Sequence, residues 1–338
     1  MDRPGSRPFA IRGAVALLSG LMAVAASVAL PGPALAAGAP HAGHRASAAS
    51  ADAYWTPARM RAALPAVADV KRQDAPAPAA EPVPPSHPFD GLPQVGTFFW
   101  TDGHNTGRFC GGTVVRSPHR DLVVSAAHCL RSPDPKKQFS FVPQYHDGLK
   151  PHGVFPVEEI YLDQRYYDLG TNGGARWDYA VVRLGDRADG TPVQRAVGGF
   201  GLGIRPGYSH DVVRLIGYPG NSDAVYPKPL DCTSSTHRYT STDPAAPGDF
   251  LEIACAGYVG GTSGGPFLVR GEGGYEVIGV IGGYHTGGDT PDISYSSYFG
   301  DDLVDLYSDA VEGAAPPGGY LSDPVAAGRW GLVAPTRR

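Results

Sequence analysis

Charged side chains are scarce in this chain: Asp, Glu, Lys and Arg make up 18% of 338 residues, while Gly (46) and Pro (33) are abundant. Long solvated helices need the reverse balance, so the composition predicts turns and short strands, an all-β domain. A concentration of basic charge is also missing. The formal net charge is -5, which implies neither nucleic acid nor an anionic membrane surface as a partner. No repeat recurs at a fixed period. Cysteine is limited to four residues with no CxxC pair. His128 stands beside Cys129, but no second histidine or cysteine follows at a zinc-ligand spacing, so a metal site is not expected.

What is present begins at the N-terminus. Arg3, Arg7 and Arg12 lead into an apolar run from Ala14 to Leu30, followed by Ala34-Leu35-Ala36. This is the pattern of a signal peptide over residues 1–36, cleaved after Ala36. A membrane anchor is the competing reading. Against it, the run is Ala-rich, short for a span, and followed by Pro31 and Pro33 rather than a basic stop-transfer cluster. No other segment is long and apolar enough to span a bilayer, so the mature protein is expected to be secreted, extracellular and free of the membrane. In that setting four cysteines read as two disulfides. Three connectivities are open, and the spacings suggest Cys110–Cys129 and Cys232–Cys255, each worth roughly 3 kcal/mol in the chain-entropy view.

Residues 37–88 are an Ala/Pro-rich leader or propeptide, including PAPAAEPVPP, whose composition cannot bury enough apolar surface to fold alone. It holds one candidate helix, Thr56 to Leu64, with Thr56 as cap and Pro57 at the first helical position. Lys71-Arg72 offers a processing site, although a dibasic pair is as often a solvated surface feature. From Phe89 the texture changes to short β-rich runs such as VGTFFW, DLVVSAA, DYAVVRL and YEVIGVIGGY, separated by turn residues, which suggests an antiparallel sandwich or barrel. Asp301 to Val311 alone has the apolar spacing of an amphipathic helix. Residues 313–338 form a Gly/Pro-rich tail.

The stretch GGTSGGPFL, Gly260 to Leu268, contains the GxSxG pattern of esterases. An esterase nucleophile needs a helix after the serine, then the acid, then the histidine. Here Ser263 is followed by Gly264-Gly265-Pro266 and a β-like run, and the only later histidine, His285, precedes every later aspartate, so the serine's partners are sought upstream. Two segments supply them: VVSAAHCL with His128, and WDYAVVRL with Asp178. Singly, these would read as a core histidine, a turn aspartate and a tight Gly-rich turn. Jointly, in the order His, Asp, Ser, they resemble the secreted chymotrypsin-like (trypsin-like) serine peptidases, and the resemblance covers about Phe89 to Val311.

The resemblance implies two antiparallel six-stranded β-barrels, residues 89–195 and 196–312, with the active site in the cleft between them and a C-terminal helix. It further implies Ser263 as nucleophile, His128 as general base and acid, and Asp178 as the group that orients the imidazole, with the backbone N–H groups of Gly261 and Ser263 forming the oxyanion hole. No cofactor or metal is expected, and the partners would be protein or peptide substrates acted on by a monomer. Several departures matter. Thr262 stands where many members keep the aspartate that receives a new N-terminal ammonium, and no IVGG-like mature start is present; the pattern is closer to the bacterial glutamyl-endopeptidase branch than to trypsin itself. Gly257 occupies the base of the primary pocket, where trypsin-type preference needs a carboxylate. Ile281 takes the approximate place of the glutamyl branch's histidine, and Gly282 that of a serine that often bonds the triad aspartate. Gly257, Ile281, Gly282 and Gly283 are the expected substrate-binding residues. The alternative function is a catalytically inactive binding protein on the same fold.

Overall fold

The computed structural model describes residues 42–67, 82–131, 136–220 and 225–314. The signal peptide, the Lys71-Arg72 pair and all but the first two residues of the tail lie outside the described residues.

The leader contributes the first elements: helix α1 (Ala42–Tyr54), helix α2 (Pro57–Arg61) and two short strands, β1 (Leu64–Pro65) and β2 (His87–Pro88). Helix α2 starts as its sequence dictates, with the Thr56 side chain accepting the Arg59 N–H and Pro57 in the first turn. It stops at Arg61, earlier than the sequence suggested, and Leu64 goes into a strand; Leu64 precedes Pro65, and a residue before proline is driven toward extended backbone. The leader packs on the first barrel. Trp55, Met60 and Ala63 are fully buried against the first barrel, and the Trp55 indole donates to the Gln138 carbonyl at 2.7 Å.

Strands β3 (Val95–Thr101), β4 (Gly107–Val114), β5 (Leu122–Ser125), β6 (Lys137–Pro143), β7 (Phe155–Leu162) and β8 (Ala180–Leu184) form the first barrel in the order β4-β3-β6-β7-β8-β5. The pairing of β4 with β5 closes it. Phe98 of the VGTFFW run is fully buried on one face of the sheet beside Phe141 and Phe155, and its neighbour Phe99 is fully buried on the other face with Phe109, Trp55 and Tyr145. A one-turn helix α3 (Ala127–Leu130) follows β5. Helix α4 (Gln164–Gly173) and a 3₁₀ turn (Ala175–Trp177) lead into β8, and helix α5 (Val193–Val197) with the short strand β9 (Gly201–Leu202) begins the passage to the second half.

There β10 (His210–Gly217), β11 (Leu230–Thr240), β12 (Asp249–Ala254), β13 (Pro266–Gly271), β14 (Gly274–Val280) and β15 (Ile293–Ser297) form a second antiparallel sheet ordered β15-β12-β11-β10-β13-β14. Its two ends meet where Gly282 N–H donates to the Tyr295 carbonyl (3.0 Å) and Val280 N–H to the Ser296 hydroxyl (2.9 Å). Helix α6 (Asp301–Glu312) buries Leu303, Leu306 and Ala310, matching the amphipathic segment read from the sequence. Both sequential disulfides are formed, Cys110–Cys129 and Cys232–Cys255. Among the described residues no helix is long and apolar enough to cross a membrane.

Candidate active site

His128 and Asp178 come from the first barrel. Strand β5 ends at Ser125, Ala126 stays extended, and α3 turns the chain so that His128 points inward; the Cys129–Cys110 disulfide ties this turn to β4. Asp178 lies between the 3₁₀ turn and β8 and is fully buried. A buried carboxylate is costly unless donors surround it, and Asp178 has three. Its Oδ1 accepts the His128 backbone N–H at 2.7 Å, and its Oδ2 takes both the His128 Nδ1 (2.7 Å) and the Gly283 N–H (2.7 Å). With the proton on Nδ1, the Nε2 lone pair of His128 is left free, and this buried nitrogen has no hydrogen-bond partner among the described residues. Nearby, burial first and then the negative charge of Asp178 push the Tyr166 phenol well above the ordinary tyrosine range, so it stays neutral.

Ser263 lies on the turn between β12 and β13 in the second barrel and is half-buried. A short chain of bonds seats this turn on the first barrel. The Ser263 carbonyl accepts the Gly111 N–H at 2.8 Å, and the Gly111 carbonyl accepts the hydroxyl of Ser125, three residues before His128, at 2.8 Å. On the other side, Gly264 N–H donates to the Ile281 carbonyl and Ile281 N–H to the Gly265 carbonyl, both at 2.8 Å. Among the described residues, neither the Gly261 nor the Ser263 N–H donates to any protein acceptor. Gly261 has φ +87°, and a Cβ there would stand 2.4 Å from the ring of Phe109, so only glycine lets the turn adopt this path. Two free N–H groups on one tight turn can receive a developing oxyanion.

The expected substrate-binding residues divide. The Ile281 side chain is packed in the core of the second barrel and its backbone groups hold the Ser263 turn. Gly282 carries a carbonyl that accepts no donor among the described residues. A Cβ at Gly282 would reach within 3.0 Å of Asp178 Oδ2, so the position that could hold a serine hydroxyl is filled by close approach of backbone. The donor that replaces that hydroxyl is the N–H of Gly283, one residue later. Gly257 faces neutral groups, the Ser86 hydroxyl at 3.2 Å and a Leu230 methyl at 3.7 Å from an added Cβ. Thr262 is buried and its hydroxyl donates to the Val259 carbonyl at 2.8 Å. His285 sits between Asp243 (3.0 Å) and Asp289 (2.8 Å); burial works against its charge, yet the two carboxylates outweigh burial and raise its pKa.

Sequence reasoning missed Gly111, whose N–H holds the Ser263 carbonyl; it named Gly282 and Gly283 for substrate binding but did not foresee that the Gly283 N–H bonds Asp178. Paired glycines in CGGT and VIGGY are the only signal that backbone approaches something closely there.

The family model for trypsin matches residues 90–298. No curated protein matches the chain in sequence. In three dimensions the chain is similar to the protease Anisep from Arthrobacter nicotinovorans, with a TM-score of 0.57 at 22% identity over 67% of this chain and 99% of that one. It is also similar to a thermostable serine protease from an extremophilic microorganism, at 0.54 and 24% over 65% and 97%. A Glu endopeptidase aligns at 0.48 and 17% over 67% and 96%. The two higher-scoring likenesses are of fold. The family match runs from the first residues after the leader to the last strand, across the turn that bears Ser263, and on that ground the chain belongs to the trypsin family: it is a serine endopeptidase.

Proposed function

We infer that the protein hydrolyses peptide bonds of protein substrates through Ser263, His128 and Asp178, by way of an acyl-enzyme. The observation that carries this reading is the state of His128: Nδ1 is engaged by a buried aspartate, and Nε2 is an unpartnered base in a site screened from water. Ser263 Oγ attacks the scissile carbonyl carbon while Nε2 takes its proton. The carbonyl oxygen becomes an oxyanion held by the Gly261 and Ser263 N–H groups, and the imidazolium is stabilised by Asp178. His128 then gives the proton to the leaving amine, and water, deprotonated by the same nitrogen, releases the acyl group. The Gly282 carbonyl receives a backbone N–H of the acyl half. With only neutral groups at Gly257, the pocket base suits an uncharged side chain.

The apolar run at the N-terminus and the two disulfides support export after cleavage of the signal peptide, and the enzyme acts as a monomer outside the cell. Maturation does not need a buried terminal ammonium, because Thr262 offers only a hydroxyl that is already committed to Val259; an ammonium buried there without a carboxylate would cost several kcal/mol. The test is a peptide-library cleavage profile of the wild type and Ser263→Ala. Cleavage confined to the wild type, after uncharged residues, is expected. Turnover that survives Ser263→Ala would overturn the assignment.

A further inference from the structure

We propose that residues Leu64–Ala66 of the leader occupy the leaving-group side of the cleft, so that the full chain holds its own substrate channel half-closed; this rests on the Ser263–His128 reading above.

The edge of β4 is the key surface. Strand β1 pairs with it in parallel, Leu64 opposite Arg108 and Pro65 opposite Phe109, and the Ala66 N–H donates to the Phe109 carbonyl at 2.9 Å. Phe109 is close to the chemistry in three ways. It precedes Cys110, whose disulfide partner Cys129 follows His128. It lies two residues before Gly111, which bonds the Ser263 carbonyl. Its ring is the group that a side chain at Gly261 would strike.

The direction of the reaction says which half of a substrate passes this edge. The acyl half lies along the end of β14, where Gly282 has an open carbonyl. The leaving amine must face His128, which protonates it, and therefore departs along the wall made by the Cys110–Cys129 disulfide and β4. An extended peptide bound there would add to the β4 edge by main-chain hydrogen bonds, and the Phe109 carbonyl is an acceptor it would use. Ala66 already takes that acceptor.

The attachment is uneven. Behind the contact, Trp55, Met60 and Ala63 are fully buried, Tyr54 shares a hydrogen bond with Thr101 (3.0 Å), and Lys150 pairs with Asp52 (2.8 Å). At the cleft the hold consists of a two-residue strand, the Ala66 bond and a long contact from Arg108 Nη1 to the Pro65 carbonyl at 3.5 Å. A firmly anchored segment with a light grip competes at high effective concentration and can still be displaced. Ser263 itself is left half-buried, not covered. Small reagents should reach it, while substrates that extend past the scissile bond should meet Ala66.

The test uses the full chain with Ala66→Pro, which removes the donated N–H while keeping the buried anchors. Pro65→Gly, which loosens β1 but retains the Ala66 N–H, serves as a second variant in case the first does not fold. Fluorescein-casein hydrolysis should rise about fivefold, the worth of one backbone hydrogen bond, while the rate of fluorophosphonate labelling stays unchanged. In the Ser263→Ala background, where no turnover is needed, the same changes should tighten fluorescein-casein binding by anisotropy by about fivefold. Equal casein affinity with and without the leader substitutions overturns the block, as does a parallel rise in labelling and hydrolysis. Tighter casein binding in a protein that no fluorophosphonate labels would leave the block standing and overturn the triad instead.

Discussion

The first barrel supplies the site with side chains, and the second supplies it with backbone. On the first side, an imidazole and a carboxylate are buried, bonded to one another and fixed by the Cys110–Cys129 disulfide. On the second, apart from the Ser263 hydroxyl, the groups proposed to work are N–H and carbonyl groups of Gly261, Ser263, Gly282 and Gly283, set by tight turns and close approaches. The difference teaches where each half is vulnerable. A side-chain device fails when an atom is removed; a backbone device fails when an atom is added.

The sharpest way to break the comparison is to remove atoms from both sides. Ser263→Ala and His128→Ala should each lower kcat on peptide substrates by about 10⁴-fold or more, and combining them should cost little beyond either alone, because the two groups act as one unit. The unfolding midpoint should be nearly unchanged in Ser263→Ala and lowered in His128→Ala, which takes one of three donors from the buried Asp178 carboxylate. Adding an atom comes next: Gly261→Ala should lower kcat by about 10²- to 10³-fold while KM moves little, since the oxyanion hole acts in the transition state. The same change should lower stability by about 1–3 kcal/mol, because Phe109 must yield to the new Cβ. A steady-state analysis beside a denaturant titration checks both.

The disulfides sharpen the comparison further. Replacing Cys232 and Cys255 together by serine should lower stability by about 3 kcal/mol and leave kcat close to normal, because that bridge spans strands of the second barrel away from His128. The smallest effect belongs to His285. Its pKa is raised in the folded protein, so its pairing with Asp243 and Asp289 contributes stability below the unfolded value and loses it as pH rises through the folded one. Being partly exposed, it should contribute under about 1 kcal/mol. His285→Gln should therefore lower the melting temperature slightly at about pH 5 and converge with the wild type toward about pH 9.

This division also decided what could be read from the amino acids. His128, Asp178 and Ser263 could be proposed from the sequence because side chains announce chemistry and their order speaks against the esterase arrangement, and the structure brings the first two into a hydrogen bond. Strand runs, both disulfides and helix α6 followed from alternation, spacing and periodicity. What a backbone group bonds to is not written in its own residue. Gly282 was readable as a missing hydroxyl, but that the Gly283 N–H would take its place depends on how β14 ends against Asp178. The leader misled in another way. Its composition rules out independent folding, yet Trp55, Met60 and Ala63 are isolated apolar residues that find partners only on a barrel formed much later in the chain.

The central claim is that the free Nε2 of His128 activates Ser263. The most direct measurement is the rate of fluorophosphonate labelling of the wild type and His128→Ala, with the modified peptide identified by mass spectrometry. One adduct on Ser263, formed in the wild type and slowed by about 10³-fold or more in His128→Ala, is the expected result. Labelling on another residue, or at an equal rate without the imidazole, would contradict it.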